Sequence, residues 1–215
     1  DAITDATLAA NSNTRVATQA AVKAYADALV AGLSWKQAVR SATTAAGTLT
    51  AGGAIASNGG AVSLNAQDAL AVDGGITAGA GAVNLLANQD GAGAQGFSQA
   101  DATTIAGTGI TLTVNTGAGT GTGGAVLSTL TDAGALAINT SNAATDAGGS
   151  ITRTATSTLS GTSVALTTGT GDIGAAGTEI NLAANQTGVV ATTHGAGAIY
   201  LRDAGALSLG AITTA

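Results

Sequence analysis

From Thr48 onward the apolar residues fall on alternate positions in short runs, and the runs recur at close intervals. The pairs are Val62/Leu64, Leu70/Val72, Val83/Leu85, Ile110/Leu112, Leu136/Ile138, Val164/Leu166, Ile180/Leu182, Ile199/Leu201 and Leu207/Leu209, with small polar residues between and around them. Alternation of period two is the mark of a strand with one buried face. Val62 to Leu70 spans 8 residues, as does Ile199 to Leu207; Val62 to Val83 spans 21, Val164 to Ile180 spans 16, and Ile180 to Ile199 spans 19. Whole stretches also return. "DAGALAIN" (132–139) reappears as "DAGALSLG" (203–210) after 71 positions, and "AVNLLANQ" (82–89) as "EINLAANQ" (179–186) after 97. "AVSLNAQDALAVDGGIT" (61–77) and "AIYLRDAGALSLGAIT" (198–213) also look like one unit. A unit of 16–21 residues, built from two or three short strands and Gly-containing corners, is one coil of a parallel β-solenoid.

One coil cannot bury its own apolar side chains. Stacked coils line up Val, Ile and Leu inside and satisfy the backbone through hydrogen bonds between coils. Composition agrees with so narrow an interior: 45 % of residues are hydrophobic but only 2 % aromatic, so the space is filled by small aliphatic groups. Pro would remove a ladder donor, and there is none. Gly and Asn permit the positive φ angles of tight corners. The expectation is a solenoid over residues 46–215, of about 8 coils and about 40 Å at ~4.8 Å per coil. The segment 90–104, which holds Phe97, and the segment 115–124 are expected to be protruding loops. Asn84 with Asn181, and Asn88 with Asn185, are expected to share slots and to stack their amides along the coils.

Residues 1–45 differ. They hold four of the six basic residues (Arg15, Lys23, Lys36, Arg40) and most of the bulky ones. Thr18 suits a helix N-cap and Gly32 a stop. Val22, Tyr25, Leu29 and Leu33 fall on one side at spacings of three and four, which predicts an amphipathic helix. The plainer reading of that face is packing against its own chain; the alternative is an oligomer interface formed by Val22, Tyr25, Leu29 and Leu33.

The chain carries 12 acidic and 6 basic residues, for a net charge of −6, with the later part almost free of cations. Nucleic acid is not expected as a partner, because phosphate binding needs clustered cations. Membrane insertion is not expected either, since the most helix-like stretch, 16–33, contains Lys23 and Asp27. Both ends read as cut from a longer chain. With no Cys there are no disulfides and no thiolate chemistry. Glycoside cleavage needs two carboxyl groups set across a bond. Here Glu179 is the single Glu, and Asp68, Asp73, Asp90, Asp101, Asp132, Asp146, Asp172 and Asp203 are scattered. They read as corner residues bonded to backbone amides. His194 is the single His, without partners for a triad or a metal site. "VDGGITAG" (72–79) and "TGDIGAAG" (170–177) lack the nonapeptide repeat of calcium-binding solenoids. No Gly-rich run leads into Gly-Lys-Ser/Thr, the phosphate-loop signature. No catalytic, cofactor-binding or metal-binding residue is assigned, and no enzyme is expected.

Two resemblances add to this reading. Residues 13–44, with "TRVATQAAVKAYAD" followed by "GLSWKQAVRSAT", resemble a connector of phage and prophage tail fibres. Residues 46–215, most closely "AIYLRDAGALSLGAI", resemble the right-handed β-helix of filamentous-haemagglutinin-type adhesins. Together they imply a structural component of a phage tail fibre or spike, located in the virion. It would be a homotrimeric shaft joined to other tail or baseplate proteins and reaching toward host-surface glycan. The alternative is a secreted bacterial adhesin at the cell surface, and a third reading is a glycan-depolymerising tailspike.

Overall fold

The computed structural model describes residues 41–142 and 145–214. The expected helix, with Val22, Tyr25, Leu29 and Leu33, lies outside the described residues. Within them the chain is a parallel β-solenoid without helices. The first turn is β1 (Ser41–Thr44), β2 (Leu49–Ala51) and β3 (Ile55–Ala56); the second is β4 (Val62–Ala66), β5 (Leu70–Val72) and β6 (Ile76–Thr77). The third is β7 (Val83–Ala87), β8 (Phe97–Gln99) and β9 (Thr104–Gly107); the fourth is β10 (Ile110–Val114), β11 (Ala125–Leu127) and β12 (Thr129–Asp132). The fifth is β13 (Ala135–Asn139), β14 (Ile151–Arg153) and β15 (Leu159–Ser160). The sixth holds β16 (Ser163–Thr168) and β17 (Ile180–Leu182), the seventh β18 (Val189–Thr193) and β19 (Leu201–Asp203), and β20 (Leu209–Thr214) opens another. In the sixth and seventh turns the middle side is reduced to single bridges, Ile151 to Ile173 to Ile199.

Each side of the coil stacks into its own sheet. The first sheet has eight strands, the second five and the third seven. Every pairing between these strands is parallel. Eight rungs at ~4.8 Å give a stack of about 34 Å. The turns number seven rather than eight, and several are longer than the expected 16–21 residues. Register partners stand 20 residues apart at Val189 and Leu209, 21 at Val62 and Val83, and 28 at Leu136 and Val164. The intervals of 16 and 19 compared different sides of the coil, since Val164 belongs to the first sheet and Ile180 to the third. The solenoid also starts earlier than residue 46, because Ser41–Thr44 pair with β4 in register.

Alternation delivers the core. Leu64, Leu85, Leu112, Ile138, Leu166 and Ala191 form one inward column of the first sheet, all buried. Ile76, Ile105, Leu130, Leu159 and Leu182 form a matching column of the third. In the second sheet, Leu70, Phe97, Ala125 and Ile151 stack, the large ring lying against a small neighbour on the next rung. Phe97 is therefore core, at 2 % exposure, and not part of a protruding loop. The true excursion ends just before it. Loops run over 88–96 and 115–124, with the described residues 140–142 and 145–150 forming a third, all at the corner between the first and second sheets. They account for most of the extra length of those turns. Glycine is required where coils nearly touch: a Cβ on Gly81 would lie 2.1 Å from the Gly60 carbonyl oxygen.

Candidate functional site

Most of the described carboxylates accept hydrogen bonds from backbone amides. Asp132 is the last residue of β12 and is buried. Its Oδ1 accepts from the amides of Gly109 and Gly134, both at 2.7 Å, and its Oδ2 from Ile110 at 2.5 Å. Asp203 repeats the arrangement three rungs along the same sheet. Its Oδ1 accepts from Gly205 at 2.6 Å and Asn185 at 3.1 Å, and its Oδ2 from Gln186 at 3.0 Å. Each thus closes its own corner and ties it to the preceding coil. Asp172 accepts from Ala198 N at 2.7 Å and Asp101 from Thr156 N at 2.8 Å. Asp68 accepts from Gly47 N. The corner role expected for these residues is what the geometry shows, with most of the amides supplied by another coil.

At Asp101, Asp203 and Glu179 the amides favour the ionised carboxylate. The Gly205 amide, followed by those of Gln186 and Asn185, holds Asp203 below its ordinary range. The Thr156 amide and the Thr154 hydroxyl do the same for Asp101. Glu179 is lowered by its own amide and that of Gly177, and further by the charges of Arg202 and Arg153. His194 lies 3.5 Å from Asp146 through Nδ1, with both side chains well exposed. Among the described residues no three His, Cys, Asp or Glu side chains gather where they could hold a metal ion.

A buried polar spine runs under the stacked excursions. Asn88 Nδ2 donates to Asn115 Oδ1 at 2.6 Å, and Asn115 Nδ2 donates to the carbonyls of Thr140 at 2.7 Å and Gly123 at 2.8 Å. Asn142 Nδ2 reaches the carbonyls of Gly117 at 2.7 Å and Asn115 at 3.1 Å. All three asparagines are buried, and Asn88 Oδ1 has no partner. The expected amide pairs do not form: Asn84 lies in β7 of the first sheet and Asn181 in β17 of the third, and Asn88 and Asn185 follow those same strands. The actual members stand 27 residues apart, and that spacing was the available signal.

The outer surfaces differ from side to side. No strand of the first sheet contains an ionisable residue, and its outward column reads Thr43, Asn65, Leu86, Thr113, Asn139, Thr167 and Thr192. The third sheet carries a surface cleft of about 290 Å³, lined by Thr158, Asn181, Leu182, Arg202 and Ala204. The last rung leaves Leu209 and Ile212 at 53 % and 42 % exposure, beside Ile199, Leu201 and Leu207.

Columns of aliphatic side chains, parallel ladders and amide-bound corner carboxylates define a protein of the parallel β-solenoid class. Comparison with protein-family models, curated proteins and solved structures gives no match to the chain.

Proposed function

We propose that the chain is a structural part of a phage tail fibre or tail spike, a shaft that supports attachment to the host surface. The observation that carries this reading is the uninterrupted parallel stack, in which every turn rests on its neighbours through both ladder and core. Such a stack is a spacer: each added turn lengthens it by ~4.8 Å without a new core. The likeness of residues 13–44 to tail-fibre connectors supports the placement in a virion, with three copies joined to tail or baseplate proteins. The described carboxylates that engage backbone amides are committed acceptors, and Asp101, Asp203 and Glu179, held below their ordinary range, are poorly suited to donate a proton to a glycosidic oxygen. That arrangement favours a shaft over a depolymerase. The adhesin alternative draws on the likeness of residues 46–215 to haemagglutinin-type solenoids.

Antibodies raised against the purified chain separate the two. Gold label on the tails of phage particles in electron micrographs is the expected result. Label confined to the envelope of the producing bacterium would overturn the phage assignment in favour of the adhesin.

A further inference from the structure

The geometry points to an acidic-sugar site on the outer face of the third sheet, built from Arg202, Asn181 and Thr158. These three side chains come from successive rungs, since Asn181 is the register partner of Arg202 and Leu182 that of Leu159. They converge on the cleft of about 290 Å³, whose remaining lining, Leu182 and Ala204, is apolar. A site of this kind offers a cation for a carboxylate or sulfate, and an amide and a hydroxyl for ring hydroxyls. The volume of about 290 Å³ exceeds that of a simple oxyanion and suits one sugar ring.

Arg202 is exposed and has no hydrogen bond or ion pair among the described residues. Its planar fork of donors matches an oxyanion in bidentate fashion. Asn181 uses one N–H on the Ser157 carbonyl at 3.2 Å, which leaves its amide oxygen and second N–H for a ligand. Thr158 donates to the Ser157 carbonyl at 2.9 Å and keeps its lone pairs available. Charge singles out this place. Arg153 and Arg202 are the only Lys or Arg residues after position 40, and both act on Glu179 beside the cleft. Arg153 spends its donors on the carbonyls of Glu179, Thr154 and Ala155 and contributes field rather than contacts. Arg202 supplies the positive charge at this place, against the carboxylates of Glu179 and of Asp203, which follows it in the chain. Glu179 and Asp203 oppose a bound anion and weaken its binding.

The test is titration of the full chain, followed by amide chemical shifts. The probes are an oligogalacturonate tetramer, the uncharged maltotetraose, and sodium sulfate. The tetramer is expected to move the amides of Thr158, Asn181 and Arg202, maltotetraose to leave them unmoved, and added salt to weaken the effect. Arg202→Ala should weaken binding about tenfold or more and Arg202→Lys less; Glu179→Gln should tighten it several-fold. An unchanged spectrum elsewhere in Arg202→Ala shows that the fold is intact. The proposal is overturned if no probe moves these amides, if Arg202→Ala binds as well as the parent, or if sulfate alone matches the tetramer. None of these outcomes bears on the shaft assignment, which the labelling experiment decides separately.

Discussion

Asn88 and Asn115 share a 2.6 Å hydrogen bond between adjacent coils, with both side chains buried. The two are not equivalent. Asn115 serves two carbonyls with its NH₂ group, and its oxygen also accepts from the Gly123 amide at 3.1 Å. Replacing Asn115 with Leu leaves several buried polar groups without partners, at about 1–3 kcal/mol each in the worst case. Replacing Asn88 with Leu removes one donor and an oxygen that has no partner. Both asparagines stand at positive φ, 50° and 62°, where leucine adds about 1 kcal/mol of backbone strain. Urea denaturation should therefore show Asn115→Leu destabilised by about 4 kcal/mol or more and Asn88→Leu by about 2 kcal/mol. Equal losses would show that the spine is not organised around Asn115.

Coil contact sets a second expectation. Gly81→Ala forces a methyl group to 2.1 Å from a backbone carbonyl oxygen, a clash that only movement of the coil relieves. A loss of about 2 kcal/mol or more is expected, in the range of overpacked cores. Gly52 has nothing within 4 Å of its added Cβ, and its φ lies outside the positive range. Gly52→Ala should be neutral or slightly stabilising, by up to about 1 kcal/mol. The same melts measure both.

Burial along one inward column grades the third. Leu112 is wholly enclosed at mid-stack, whereas Ile212, in the same column on the last rung, is 42 % exposed. Leu112→Ala should cost about 2–5 kcal/mol and Ile212→Ala well under half of that. Hydrogen exchange should show the Leu112 variant opening the central turns and the Ile212 variant fraying only the end.

Acid should loosen the corners. The folded-state pKa values of Asp101, Asp203 and Glu179 lie below the ordinary 3.8 and 4.5 because backbone amides, chiefly, favour the anions. A carboxyl depressed in the folded state adds stability above its unfolded value, and that stability is lost as pH falls through the folded one. Urea midpoints should thus hold steady from about pH 7 to about pH 5 and fall below about pH 4. Asp203→Asn should lower the midpoint near neutrality and flatten part of the acid decline. A midpoint that does not change on acidification would sink this account.

Inward and outward positions were readable because a strand of period two has only two faces, and pairs such as Val83/Leu85 and Ile110/Leu112 are all core. Phase around the coil was not readable in the same way. "AVNLLANQ" and "EINLAANQ" look alike because each is a strand running into an Asn of positive φ, Asn88 at 50° and Asn185 at 62°. That chemistry belongs to any corner, so the likeness does not say which of three sheets the strand joins. Asp132 and Asp203 kept their phase because their carboxylates need a glycine amide two residues on and a coil below. The asparagine spine and the Arg202 cleft were hidden for another reason. Their members meet only through register, and the stretches around Asn88, Asn115 and Asn142 share no pattern beyond their interval.

The interior columns pass through turns of 21 and 28 residues without losing step, because the surplus leaves at a single edge of the triangle. Growth and trimming at that edge are therefore uncoupled from the architecture that carries them. A lineage can rewrite what the rod displays along its flank, turn by turn, while the scaffold beneath stays constant.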